Sequence, residues 1–125
     1  MDFVRYEHHD EHIAIVTLDR PDRLNALGAQ MRAEFDEALI RAERDEAVRV
    51  VIVTGAGRSF CAGADVKEWA TGTGPLEAAH TPAPLNAHGT TDLIKPLIAA
   101  IRGHCLGAGL NLVATRCDKI GRAHV

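Results

Sequence analysis

Features that define several common protein classes are missing from this sequence. Its 125 residues include only three cysteines, Cys61, Cys105 and Cys117, with no CxxC pair. An odd cysteine count argues against a disulfide framework and favours a reducing compartment, so we expect a cytoplasmic protein. No apolar run approaches membrane-spanning length. The first residues, MDFVRYEHHDEH, are too charged for a secretory signal peptide.

The sequence also lacks an excess of positive charge. It has 14 Lys and Arg against 17 Asp and Glu, a formal net charge of −3. This balance gives no basic surface for nucleic acid or an anionic membrane. What the chain does contain is 46% hydrophobic and 25% charged residues, which is ordinary for a globular domain. We therefore expect one domain, or part of one, that binds neither nucleic acid nor membrane.

Apolar, β-branched runs predict strands at residues 3–6, 13–18, 48–54 and 97–101. The first two are predicted to be joined by a polar turn at 8–12 (HHDEH). Residues 48–54 (VRVVIVT) are almost continuously apolar, which is typical of a strand buried on both faces. The long separations between the later strands predict right-handed α/β crossovers rather than a short-period solenoid.

Helical spacing of Met31, Phe35, Leu39 and Ala42 predicts an amphipathic helix over residues 29–44. The opposite face of this helix is predicted to be solvated. It carries the charged residues Arg32, Glu34, Asp36, Glu37, Arg41 and Glu43.

Two segments rich in glycine and alanine follow predicted strands, residues 61–68 (CAGADVKE) and 103–111 (GHCLGAGLN). Each opens a predicted helix, where backbone N–H groups have no partner within the helix and attract negative charge. Two such ends aimed at one point would form an oxyanion hole. Small residues also permit close packing of helix and strand, so one segment alone would be weak support. Two segments at equivalent transitions are stronger support.

Three other patterns favour structural interpretations. Residues 55–60 (GAGRSF) lack both the GK[ST] of a P-loop and a third glycine, which favours a tight turn over a nucleotide site. The polar residues 8–12 could ligate a metal, but a solvated turn is favoured because successive strand side chains point to opposite faces. His104 and Cys105 are sequence neighbours and rarely face each other as base and nucleophile. Packing is therefore favoured for both, and for Cys61.

Three segments in order resemble the crotonase family of enoyl-CoA hydratases and isomerases. They are residues 20–27 (RPDRLNAL), 51–68 (VIVTGAGRSFCAGADVKE) and 99–112 (AAIRGHCLGAGLNL). The resemblance implies an α/β fold, the crotonase-like (ClpP/crotonase) spiral of repeated ββα units, assembled as a homotrimer or a dimer of trimers. It implies an acyl-CoA thioester as the ligand, with coenzyme A as part of the substrate and no separate cofactor or metal.

The resemblance also implies roles for individual residues. Ala64 and Ala108 would supply the two backbone N–H donors of a thioester oxyanion hole. Asn111 stands where two-glutamate hydratases have a catalytic Glu. Asn cannot exchange a proton near neutral pH, so it would orient water or substrate. The loop at 71–89 would cover the acyl chain. The coenzyme A surface would comprise Arg23, Leu24, Ala26, Ala62, Asp65, Val66, Lys67, Leu106 and Gly107.

The family's catalytic unit is longer than this chain, so we expect residues 1–118 to be the N-terminal part of a crotonase-like domain. The family's second catalytic acid lies on the following unit, and we expect the isolated chain to be inactive. Residues 119–125 (KIGRAHV) are predicted to be a non-native tail, because IGRAHV matches the translation of a sequencing adapter. The alternative is that Lys119 and Ile120 begin the family's next strand. For function, the alternatives are a non-catalytic acyl-CoA-binding half-protein and a complementation partner of a separate C-terminal half.

Overall fold

The computed structural model describes residues 2–63, 94–107, 109 and 117–122. Within these residues five strands form one sheet in the order β1-β2-β3-β4-β5. Strand β1 is antiparallel to β2, and β2 to β5 are mutually parallel. The elements are β1 (Val4–Asp10), β2 (Ile13–Leu18), a 3-10 helix (Pro21–Arg23), α1 (Ala29–Arg44), β3 (Val50–Gly55), β4 (Leu97–Ile101) and β5 (Lys119–Arg122). The predicted α/β class and parallel crossovers are confirmed.

The core lies between one face of the sheet and α1. Across the parallel strands, Ala14 lies opposite Val51, which lies opposite Leu97, and all three are buried. The apolar stripe of α1 packs on this face, as its period predicted. Its buried members are Met31, Phe35, Ala38, Leu39 and Ala42.

Strand β3 differs from its prediction on one face. Val51 and Val53 point into the core and are fully buried, whereas Ile52 and Thr54 are only half-buried. Side chains alternate between the faces of a strand, and α1 packs on the face that carries Val51 and Val53. Burial is therefore confirmed for one face of β3 only.

The hairpin between β1 and β2 is tighter than predicted. His8 and His9 lie within β1 rather than in the turn, so that part of the prediction was wrong. The turn is short because Asp10 closes it: its Oδ1 accepts the N–H groups of His12 at 2.7 Å and Ile13 at 3.1 Å. A short acidic side chain commonly stabilises a turn in this way. In the described part of the chain, no group of three or more His, Cys, Asp or Glu is placed to hold a metal ion.

Glu34 was predicted on the solvated face of α1, and this was wrong, since only 7% of it is exposed. Its Oε1 accepts the N–H groups of Phe3 at 2.8 Å and Val4 at 3.1 Å, and its Oε2 accepts the side-chain amide of Gln30 at 2.8 Å. Burial by itself would raise the pKa of this carboxyl. The hydrogen bonds that it accepts outweigh burial and hold its pKa below the usual value.

Strand β5 lies at the edge of the sheet, and all four of its residues are exposed. Asp118 aligns it with β4, because Asp118 Oδ2 accepts the Leu97 N–H at 2.9 Å and the Asp118 N–H donates to the Leu97 carbonyl at 2.8 Å. Residues 123–125 lie outside the described part. The origin of residues 119–125 therefore stays a prediction, which the coding DNA decides.

Among the described helices, none has the length and apolar character needed to cross a bilayer.

Candidate active site

The two Gly/Ala segments meet beyond the carboxyl ends of β3 and β4. Cys61 and Cys105 are paired in an isolated parallel β-bridge. The Cys61 N–H donates to the His104 carbonyl at 2.9 Å, and the Leu106 N–H donates to the Cys61 carbonyl at 3.0 Å. The bridge is parallel, like the pairing of β3 with β4, so segments that are distant in sequence run side by side.

The His104 carbonyl is a junction between these segments. It accepts the N–H groups of Phe60 at 3.0 Å and Cys61 at 2.9 Å, and the Ser59 hydroxyl at 3.2 Å. Ser59 is 1% exposed, so its hydroxyl needs such a partner. One carbonyl thus fixes the second segment against three consecutive residues, the last two of the turn at 55–60 and the first of the first segment.

Close approach of the segments explains two of the glycines. A Cβ on Gly109 would lie 2.7 Å from Cys61 Cβ and 2.8 Å from both the Cys61 carbonyl oxygen and Sγ. Gly103 has φ +70, and a Cβ there would overlap the Arg58 carbonyl oxygen. A larger residue at position 109 would push the two segments apart, and one at position 103 would push the second segment away from the turn at 55–60.

The loop that carries the predicted coenzyme A residues lies against the first segment. The Ala62 N–H donates to the Leu24 carbonyl at 3.0 Å, and the Leu27 N–H donates to the Gly63 carbonyl at 2.6 Å. These two bonds place the loop next to the residues that lead directly into position 64.

Asn25 is the residue whose importance the sequence did not reveal. It is fully buried, and its side chain binds the backbone of Arg20, Ala56 and Ser59. Its φ is +55. The available signal in the sequence is the residue type, because Asn tolerates the left-handed region better than most residues. An Asn inside a Pro- and Asp-containing loop is suggestive of this role, but the distant partners cannot be read from the sequence.

The structure describes half of the predicted site. Leu24 and Ala62 are hydrogen-bonded neighbours, and Leu106 is bonded to the segment that contains Ala62. A Cβ at Gly107 would lie 3.7 Å from the Gly63 Cα, so these glycines mark the contact between the segments. Arg23 and Ala26 lie in the loop, half-buried. The predicted residues outside the described part are Ala64, Asp65, Val66, Lys67, Ala108 and Asn111, together with the loop at 71–89.

The thiols at the bridge are poor nucleophiles. Burial raises the pKa of Cys61 to about 11 and also raises the pKa of Cys105. A raised pKa lowers the thiolate fraction, and the thiolate is the reactive form. His104 is exposed, and its carbonyl, as described above, bonds the first segment. Cys61 lies in the core and Cys105 packs against it, so the packing interpretation of both thiols is confirmed. The predicted packing of His104 was wrong, because this residue is exposed.

Comparison with known proteins identifies the family. Residues 8–123 match the family model for enoyl-CoA hydratase/isomerase. The chain belongs to this family. A probable enoyl-CoA hydratase of Mycobacterium tuberculosis is 42% identical over 104 residues, which are 82% of this chain and 41% of that protein. The 1,2-epoxyphenylacetyl-CoA isomerase of Escherichia coli is 36% identical over 120 residues, 90% of this chain and 44% of that protein.

Solved structures confirm the crotonase fold of this enoyl-CoA hydratase/isomerase family member. The enoyl-CoA hydratase of Bacillus anthracis superposes with a TM-score of 0.82 at 32% identity, covering 98% of this chain and 49% of that one. The enoyl-CoA hydratase of M. tuberculosis H37Rv gives a TM-score of 0.76 at 36% identity, covering 95% and 47%. The chain thus spans less than half the length of the relatives it matches.

Proposed function

We propose that this chain binds an acyl-CoA thioester and holds its carbonyl oxygen between the backbone N–H groups of Ala64 and Ala108. The observation that carries the proposal is the parallel pairing of Cys61 with Cys105. It brings together the two segments in which these alanines lie. Ala64 directly follows Gly63, Ala108 directly follows Gly107, and the two glycines are neighbours across the segments.

Such a pair of donors would stabilise negative charge on the thioester oxygen. Polarising that oxygen favours the enolate. This forms when a proton leaves the carbon next to the carbonyl, or when a nucleophile adds to the far carbon of a double bond conjugated with the carbonyl. Loss of one donor from such a hole typically costs on the order of 10²–10³ in rate. Small residues at both positions suit this role, because the carbonyl must approach the main chain closely.

The class of reaction is hydration or isomerisation of an acyl-CoA. This is supported by the relatives, whose printed names include both a 1,2-epoxyphenylacetyl-CoA isomerase and a mevalonyl-coenzyme A hydratase. Relatives named for different reactions are all similar to this chain. The reaction would therefore be determined by the acid and base groups and not by the oxyanion hole. Asn111 cannot serve as a general base near neutral pH. We therefore expect residues 1–125 to bind the acyl-CoA thioester and polarise its carbonyl without converting it to product.

A second candidate is a half-protein that works with a separate C-terminal half. Activity that appears only when a C-terminal half of a relative is added would identify complementation. A homotrimeric assembly, or a dimer of trimers, and a cytoplasmic location remain predictions.

Binding and turnover should be measured on the same preparation. Calorimetric titration compares a saturated acyl-CoA, coenzyme A and the free carboxylate, and we expect the thioester to bind most tightly. Equal binding of acyl-CoA and coenzyme A would contradict thioester recognition. Loss of the conjugated-thioester absorbance of an enoyl-CoA reports hydration, and we expect none. Measurable hydration would contradict the role given to Asn111.

A further inference from the structure

We propose that Asn25 is a positioning residue for the oxyanion hole. Its side chain fixes the loop at 20–27 against the turn at 55–60, which leads into the first segment. Through Ser59 the same side chain is connected to the second segment. The inference rests on the proposed function for its meaning in catalysis.

The side chain of Asn25 makes three hydrogen bonds to backbone from a fully buried position. Its Oδ1 accepts the Arg20 N–H at 2.7 Å. Its Nδ2 donates to the carbonyl oxygens of Ala56 at 2.9 Å and Ser59 at 2.8 Å. A buried amide that uses both donors and an acceptor holds three pieces of backbone in one arrangement.

The connection continues into the second segment through Ser59. While the Ser59 carbonyl accepts Asn25 Nδ2, the Ser59 hydroxyl donates to the His104 carbonyl at 3.2 Å. The same carbonyl accepts the Cys61 N–H at 2.9 Å. A displacement of Asn25 would therefore be transmitted to both Gly/Ala segments.

The backbone around Asn25 is bonded to the first segment on both sides. Leu24 accepts the Ala62 N–H, and Leu27 donates to the Gly63 carbonyl. Position 64, the predicted donor, comes next. Asn25 thus lies at the centre of a short interface between the coenzyme A loop and the first half of the hole.

The loop conformation is costly and needs this support. Leu24 and Asn25 both have left-handed φ values, +52 and +55. Residues without a glycine's freedom adopt this region only when the surrounding structure determines it, and such positions cluster at functional sites. The hydrogen bonds of the Asn25 side chain hold the loop in this backbone conformation.

Three variants separate positioning from general stability. Asn25→Gly removes the side chain but permits the left-handed φ. Asn25→Asp keeps an acceptor for Arg20 and loses the donors to Ala56 and Ser59. The matched control is Thr54→Val, which removes a side-chain bond to the Ala100 carbonyl, 3.0 Å between β3 and β4.

Amide hydrogen exchange on the whole chain tests the geometry. In Asn25→Gly and Asn25→Asp we expect exchange to rise about tenfold at the amides of Leu27, Ala62 and Leu106, as local bonds open. Exchange in the β1–β2 ladder should change little. Thr54→Val should not produce the increase confined to the loop and the donor segments. A uniform rise across the sheet in the Asn25 variants, or no rise at these three amides, would overturn the proposal.

The carbonyl stretching frequency of a bound acyl-CoA tests the link to the hole. We expect wild type and Thr54→Val to lower this frequency. At saturating acyl-CoA, Asn25→Gly should lose most of the shift, and it should bind coenzyme A more weakly because the loop at 20–27 is loosened. An undiminished shift in Asn25→Gly would contradict the positioning role of Asn25 and leave the proposed function intact. Absence of any shift in wild type would count against the proposed function, whatever the exchange pattern.

Discussion

Cys61 and Cys105 lie opposite each other in a parallel β-bridge beyond the carboxyl ends of β3 and β4. Neither thiol is needed as a nucleophile at this position. The pairing matters because its backbone bonds, from Cys61 to His104 and from Leu106 to Cys61, align the segments that lead to the two predicted donors. Binding sites in open parallel sheets characteristically lie outside the carboxyl ends of the strands.

Gly109→Ala should destabilise the protein and separate the two segments. The added Cβ would lie 2.7 Å from Cys61 Cβ and 2.8 Å from the Cys61 carbonyl oxygen, so backbone must shift. We expect a loss of about 1–3 kcal/mol in the free energy of unfolding, measured in urea. Gly121→Ala is the control, because a Cβ there meets nothing within 4 Å. Equal stability of the two variants would contradict the close packing.

Cys61 should resist alkylation in the folded protein. Burial raises its pKa from 9.0 to about 11, which reduces the thiolate fraction near pH 8 about a hundredfold. Limited access to the sulfur slows the reaction further. Mass spectrometry after iodoacetamide treatment should show half-buried Cys105 and Cys117 modified first, and Cys61 modified only on addition of denaturant. Similar labelling rates at all three cysteines would refute this assignment.

Glu34→Gln should lower the free energy of unfolding near neutral pH and should make that free energy less dependent on pH in the acid range. The pKa of Glu34 is lower in the folded chain than its usual value. Its charged form therefore adds stability above the unfolded-state pKa, and this is lost as pH falls through the folded value. We expect a loss of about 1–2 kcal/mol at pH 7 that shrinks in acid. The exposed Glu37→Gln should behave like wild type, and a pH-independent difference for Glu34→Gln would contradict the prediction.

Lys95→Met should loosen the C-terminal end of α1. Lys95 Nζ donates to the carbonyl oxygens of Ala42 at 2.8 Å and Asp45 at 2.6 Å. A cation at this end also interacts favourably with the helix dipole. Thermal unfolding should report a loss of about 1–2 kcal/mol, against almost none for Lys119→Met on the exposed edge strand. The prediction fails if the two substitutions have the same effect.

Local periodicity was sufficient for much of the fold. The bounds predicted for α1 and β4 agree with the structure, because a 3.6-residue apolar period and a short β-branched run are both local signals. The parallel order follows from the long crossovers. The buried Glu34 was missed because its partners, Phe3 and Val4, lie 31 and 30 residues away. A charged residue on a helix is normally exposed to solvent. Nothing in the neighbouring sequence shows that the N–H groups of Phe3 and Val4 lie over the first turns of α1.

The site was predictable as a pair of segments but not as an arrangement. Glycine patterns indicated where backbone must come close, and Gly109 confirms this. Asn25 was not predicted, because its partners Ala56 and Ser59 lie 31 and 34 residues away. A polar residue in a loop is ordinarily solvated, and its burial depends on tertiary contacts.

The most direct test of the account is the infrared spectrum of a ¹³C-carbonyl acyl-CoA bound to the chain, compared with the same thioester in water. Two convergent N–H donors should weaken the carbonyl bond, so we predict a lower stretching frequency on binding, restored when excess coenzyme A displaces the thioester. A bound thioester with the frequency it has in water, or a thioester that does not bind, would contradict the claim that these segments form an oxyanion hole.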